Sequence, residues 1–221
     1  MNPLATPAGT DIPVELRFSA EELQLLEALS TRIAQSLINA MEAKSRYLRG
    51  HSHRVASAAA AIAAELGFDD ASIEQVRLAG RLHDVGKIGI REDILDKPSD
   101  LTPEEFAHVR EHVRIGMDIL APLTHLGPVL DYVAHHHERL DGSGYPRGLR
   151  GDAISLGGRI VGAADVFDAL TSPRAYRDAM TADEAFAYIA SIGPRAICPT
   201  VLPALGRMVK RGHVLVYLED A

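Results

Sequence analysis

The sequence predicts an all-α fold, a helical bundle with an additional helix at its N-terminus and a glycine-rich loop set among the helices. Three observations lead there. Apolar residues recur at three- and four-residue steps over several long segments. Three segments open on a capping box, pairing Ser19 with Glu22, Thr102 with Glu105 and Thr181 with Glu184. The only strand-like run, VLVYL near the C-terminus, is too short to build a sheet.

Residues 1–18 hold Pro3, Pro7, Gly9 and Pro13 and predict a loose arm. The first helix follows Ser19 and carries a stripe of Leu26, Leu29, Ile33, Leu37 and Met41. That stripe suits either packing on the main domain or pairing with a second chain. Residues 52–66 are alanine-rich and helix-favouring, with Gly67 as the stop. The next helix runs from about Asp70 to Asp84, ending near Gly86. Thr102, with Pro103 at the first helical position, opens another. Further helices are expected over about 127–138, 155–170 and 181–191, and a last one starts at Pro199 and Pro203. The stretch DGSGYPRGLRG, residues 141–151, reads as loop. The expected division is an N-terminal arm and helix, 1–44, followed by the main domain, 45–221.

Composition narrows the function. Hydrophobic residues make up 47% and charged residues 24%, as in ordinary globular proteins. The formal charge of −7 argues against a nucleic-acid polymer as partner, since that binding draws on surplus Lys and Arg. No run approaches the ~20 apolar residues of a membrane span. The N-terminus lacks the basic start and apolar core of a secretory signal. One cysteine, Cys198, excludes an internal disulfide, and the expected location is the cytoplasm.

Ten histidines, dispersed along the chain, stand against no tryptophan. Several sit at expected helix ends or on helix faces, next to carboxylates. His83 and Asp84 end one helix; His136 and His137 end another, with Glu138 following. His51 begins a helix, His112 lies within one, and Asp165 lies within another. Neutral imidazole and carboxylate are ligands for iron, manganese or zinc. Neighbours on a helix point about 100° apart, so an adjacent His-Asp pair can touch one ion each, or the carboxylate can join two. No HExxH or CxxC spacing is present, so such a centre has to be assembled across the fold.

The segments HSHRVA, LHDVGKIGI, EHVRIGMDIL, HHERLDGSGYPRGL and ADVFDALTSPRAYR follow one another in the order of the motifs of the HD-GYP family. The chain resembles that family over residues 45–190. The resemblance implies an HD-type helical fold and metal-dependent hydrolysis of the cyclic dinucleotide c-di-GMP to pGpG or onward to GMP. It implies two divalent ions, iron first and manganese second, held by His51, His83, Asp84, His112, His136, His137 and Asp165, with Asp84 joining the two. A hydroxide held by the ions would attack phosphorus, with Lys87 stabilising the charge that develops. Lys87, Arg174 and Arg177 fall where the family contacts phosphate, and Gly144, Tyr145 and Pro146 are the GYP triplet. A homodimer through the N-terminal helix and a signalling protein at the GYP loop are further expected partners.

The chain departs from the pattern in places. Tyr47 stands where relatives with a third metal carry glutamate, so two ions are expected. Cys198-Pro199 replaces the Asp-Pro pair that often opens the last helix, and Arg177 holds a position often occupied by lysine. His53, His108, His125 and His213 read as surface or packing residues, and His135 as a neighbour of the ligand pair. Glu138 and Asp141 suit either orientation of imidazoles or capping of the loop. Two other readings stay open: hydrolysis of another cyclic nucleotide, and a module that senses c-di-GMP or docks a partner without turnover.

Overall fold

The computed structural model describes residues 19–45, 48–173, 178–193 and 197–212. Within these the regular structure is helical, and the sole β-type pairing is an isolated bridge between Asp141 and Arg150. The α-helices are α1 (Ala20–Glu42), α2 (His51–Glu65), α3 (Asp70–Leu82), α4 (Glu92–Leu95), α5 (Pro103–Leu120), α6 (Pro128–His135), α7 (Leu156–Thr171), α8 (Ala182–Ile192) and α9 (Val201–Lys210). A 3-10 turn, Val85–Gly89, links α3 to α4. The expected arm over 1–18 and the VLVYL run lie outside the described residues.

Local signals place the helix starts. Ser19, Thr102 and Thr181 each accept the backbone N–H three residues on, and Glu22, Glu105 and Glu184 each bond back to the cap. The α2 helix stops in a Schellman pattern: Phe68 N–H donates to Ala63 and Gly67 N–H to Ala64, with Gly67 at φ +80°. The α6 helix is shorter than its sequence pattern, because His136 already serves as its C-cap. The last helix begins at Val201, two residues beyond Pro199.

The alanine-rich α2 is the central element. It packs against α3, α7 and α9, and its Val55, Ala59, Ile62 and Ala63 are fully buried. Small side chains let the neighbouring helices approach closely, while Phe167, Leu82, Leu205 and Ile160 fill the remaining core. Each such large side chain contributes about 1.5–3 kcal/mol of burial. The α1 stripe divides along its length. Met41 is buried and Leu37 packs on the core, whereas Leu29 and Ile33 are 51% and 43% exposed. Among the described residues no helix is long and apolar enough to cross a membrane.

Candidate metal centre

Five segments converge at one end of α2. His51 is the first residue of α2, and His83 and Asp84 join α3 to the 3-10 turn. His112 lies in α5, His136 and His137 follow α6, and Asp165 lies in α7. Two glycines let these segments meet. A Cβ on Gly86 would overlap the His112 carbonyl, and one on Gly162 would overlap the His136 carbonyl. The turn carrying Asp84 and the helix carrying Asp165 therefore lie directly against the histidine-bearing backbone.

All seven residues expected as ligands come together, in two groups. His51, His83 and Asp165 form one, and Asp84, His112, His136 and His137 the other; within each group the ligand atoms lie within 4.8 Å of one another. Asp84 connects them. Its Oδ2 is 3.3 Å from His51 Nε2 and 3.4 Å from His83 Nε2, while Oδ1 is 3.4 Å from His112 Nε2. Asp165 Oδ1 lies 3.5 Å from His51 Nε2.

The ring nitrogens facing away from the cluster fix which ones face it. His83 Nδ1–H donates to Gly80 O at 2.8 Å, His112 to Val109 O at 2.7 Å and His136 to Val133 O at 2.6 Å. A neutral ring bound this way carries a lone pair on Nε2. His112 Nε2 and His136 Nε2 then face each other at 3.5 Å, a repulsive contact that a cation between them relieves. His83 Nε2 and Asp84 Oδ1 are buried with no hydrogen-bond partner among the described residues. Leaving such an atom unsatisfied costs about 1–3 kcal/mol. A divalent ion accepts from lone pairs of this kind, so the residues present fit one in each group.

Electrostatics divide along the same line. Burial pushes His136 and His137 well below the usual imidazole range, and the other imidazoles crowded around each oppose a further proton there. Burial also lowers His112. At His51 burial acts downward too, but hydrogen bonds to Asp168 and Asp84 and the charge of Asp165 outweigh it and raise the group to about 9. Asp84 is raised by burial yet held well below its ordinary value by His83, Lys87 and His51.

Lys87 Nζ donates to Asp84 Oδ2 at 2.5 Å, placing a positive charge at the cluster's edge. The GYP loop lies beside it. The Tyr145 ring stacks on His137, with centroids 4.6 Å apart, and the Arg110 guanidinium lies 4.5 Å from the Tyr145 centroid. Burial and the charges of Asp84 and Asp165 raise the Tyr145 phenol far above its ordinary value, so it stays protonated. Gly144 packs against the backbone of Glu138, and the Tyr145–Pro146 peptide is cis. Glu138 caps this loop, accepting Arg147 N–H at 2.7 Å and Leu149 N–H at 2.9 Å. Asp141 accepts Ser143 N–H at 3.0 Å in the same loop. His135 stands outside both groups, with its Nδ1 at Ser155. Arg174, Arg177 and Tyr47 lie outside the described residues.

Sequence reasoning missed Asp168. It is buried on α7, accepts His51 Nδ1–H at 2.7 Å and pairs with Arg54 at 2.6 Å. The available signal was its place one helical turn after Asp165, on the same face of α7.

The HD domain family model matches residues 35–196. The 3′3′-cGAMP-specific phosphodiesterase 3 of Vibrio cholerae is 44% identical over 75% of this chain, and the match covers 36% of that protein. The cyclic di-GMP phosphodiesterase of Thermotoga maritima is 42% identical over 72% of this chain, covering 44% of its own length. The chain thus spans less than half the length of these curated relatives. The crystal structure of V-cGAP3, a cyclic GMP-AMP-specific phosphodiesterase of Vibrio cholerae, superposes with a TM-score of 0.54 at 34% identity, covering 87% of this chain and 42% of that one.

Proposed function

The chain belongs to the HD domain family, and on that premise we propose that it is a metal-dependent phosphodiesterase that opens c-di-GMP to pGpG, GMP or both. One observation carries the reading: Asp84 divides its two carboxylate oxygens between two groups of buried imidazoles. In this reading His51, His83 and Asp165 would hold one divalent ion and His112, His136 and His137 a second, with the Asp84 carboxylate available to each. Iron is the first choice and manganese the second. Two bound cations supply Lewis-acid neutralisation of the phosphodiester and acidify water.

The chain's own groups do the rest. Lys87 Nζ donates a hydrogen bond to a non-bridging phosphate oxygen, where negative charge grows during attack. Arg174 and Arg177 grip the second phosphate as charged donors. Gly144, Tyr145 and Pro146 border the substrate. The stacking of Tyr145 onto His137 favours that role over docking of a signalling protein. The exposed Leu25, Leu29 and Ile33 on α1 support pairing of two copies through that helix. A nucleotide substrate and a single cysteine fit the cytoplasm.

A second substrate reading rests on the names of relatives. Since a similar protein is a 3′3′-cGAMP-specific phosphodiesterase, that dinucleotide is the alternative. The test is anaerobic purification, metal analysis, and chromatography of products from c-di-GMP, 3′3′-cGAMP and c-di-AMP. Conversion of c-di-GMP to pGpG or GMP supports the proposal. Opening of 3′3′-cGAMP alone moves the substrate to the alternative. Two bound ions with all three substrates intact would overturn the catalytic reading in favour of a sensing module.

A further inference from the structure

We propose that Glu42 and Lys44, at the C-terminal end of α1, are positioning residues of the metal centre, so that α1 governs both the helix carrying His51 and the turn carrying Lys87. The inference rests on the two-cation reading above.

The α2 helix starts at His51, and its N-cap is Gly50, at φ +68° with no side chain to offer. The first-turn N–H groups of a helix need acceptors, ordinarily the N-cap side chain. Here the acceptor comes from another helix. Glu42 Oε2 accepts Gly50 N–H at 3.0 Å, and Oε1 accepts Ser52 N–H at 3.3 Å. These two donors flank His51. The carboxylate also places negative charge at the positive end of the α2 dipole.

Two residues further on, Lys44 Nζ donates to Ile88 O and Ile90 O, each at 2.6 Å. Those carbonyls close the 3-10 turn that carries Lys87, whose own carbonyl accepts Ile90 N–H at 3.0 Å. The end of α1 therefore grips both a cation-binding segment and the segment of the phosphate-contacting lysine. Met41 anchors that end in the protein interior. The opposite end exposes Leu25 and Leu29. A shift or rotation of α1 reaches His51 and Lys87 through two side chains, without passing through the core.

The test uses the full chain and Mn²⁺ as probe, with binding followed by equilibrium dialysis and electron paramagnetic resonance. Wild type is expected to bind two ions and give the spectrum of an exchange-coupled pair. Glu42→Ala is expected to weaken one of the two ions at least tenfold and to yield the six-line signal of an isolated ion, and Glu42→Gln, which keeps one acceptor, to restore most of the pair. Should Glu42→Ala fail to fold, Glu42→Asp carries the test, since it keeps the charge and shortens the reach. Lys44→Met is expected to keep both ions and lower kcat about tenfold with little change in KM. A merely structural role would lower thermal stability while leaving the ion count of the folded chain at two. Two ions of wild-type affinity in folded Glu42→Ala, or wild-type kcat in Lys44→Met, would overturn the inference alone. Failure of wild type to bind Mn²⁺ would instead overturn the two-cation reading on which it stands.

Discussion

Asp168 grips His51 by the ring nitrogen that faces away from the cluster, accepting Nδ1–H at 2.7 Å. Arg54 and Ser172 hold the other carboxylate oxygen, at 2.6 and 3.3 Å. His83, His112 and His136 are oriented differently, each by a backbone carbonyl three residues earlier. Their orientation is therefore built into their own helices, whereas that of His51 depends on α7. Asp168→Ala is expected to weaken metal binding about 10–100-fold, the range for lost outer partners of ligating histidines. Asp168→Asn, which can still accept the Nδ1–H, should lose less. Equilibrium dialysis against Mn²⁺ measures both, and an unchanged affinity in Asp168→Ala would contradict this role.

Asp84 faces both groups and His83 belongs to one of them. Asp84→Ala and His83→Ala are each expected to abolish turnover and lower the metal content of the purified chain. Elemental analysis and product chromatography check this together, and full activity in either variant would rule out the assignment.

The imidazoles predict a two-sided pH profile for the metal-free protein. His112, His136 and His137 are depressed by burial, so below about pH 6.5 the unfolded chain takes up protons that the folded chain refuses. Stability from this source falls as pH drops. His51 is raised to about 9, so its contribution is complete below about pH 6.5 and is lost as pH climbs through 9. Thermal unfolding in chelator should show a maximum near neutrality. Saturating Mn²⁺ keeps His51 unprotonated and should remove its share of the alkaline decline. A metal-free Tm that rises steadily from pH 6.5 to 9 would contradict the profile.

Gly86 touches the backbone of α5 at His112 and Gly116, and backbone cannot move aside as a side-chain tip can. Gly86→Ala is expected to cost about 1–3 kcal/mol through overpacking. At roughly 2–4 °C per kcal/mol for a chain of this size, Tm should fall by several degrees. Metal affinity should fall too, because the turn carrying Asp84 is displaced. Differential scanning fluorimetry with and without Mn²⁺ reads both effects.

The sequence was most legible where the determinants are local. Thr102 and Thr181 announce their helices because a capping box lies within four residues, and Gly67 stops α2 through its own backbone conformation. The histidines stand out because adjacent imidazole and carboxylate at helix ends is unusual without a cation to bind. Spacing from Asp165 puts Asp168 on the right face of α7, but its partner lies 117 positions away, so the packing of α2 on α7 is what assigns it to His51. Glu42 was hidden for a similar reason: nothing in its neighbourhood says that it caps a helix beginning after the next loop. Glu138 stayed open between two roles until the loop folded back onto it and spent both its oxygens on Arg147 and Leu149. The α1 stripe looked continuous because periodicity does not say where the rest of the protein ends.

Anomalous diffraction from crystals loaded with Mn²⁺ tests the central claim most directly. Two peaks are expected about 3.5–4 Å apart, one against His51, His83 and Asp165, the other against His112, His136 and His137, with Asp84 in contact with both. A single peak, or peaks away from these seven side chains, would contradict it.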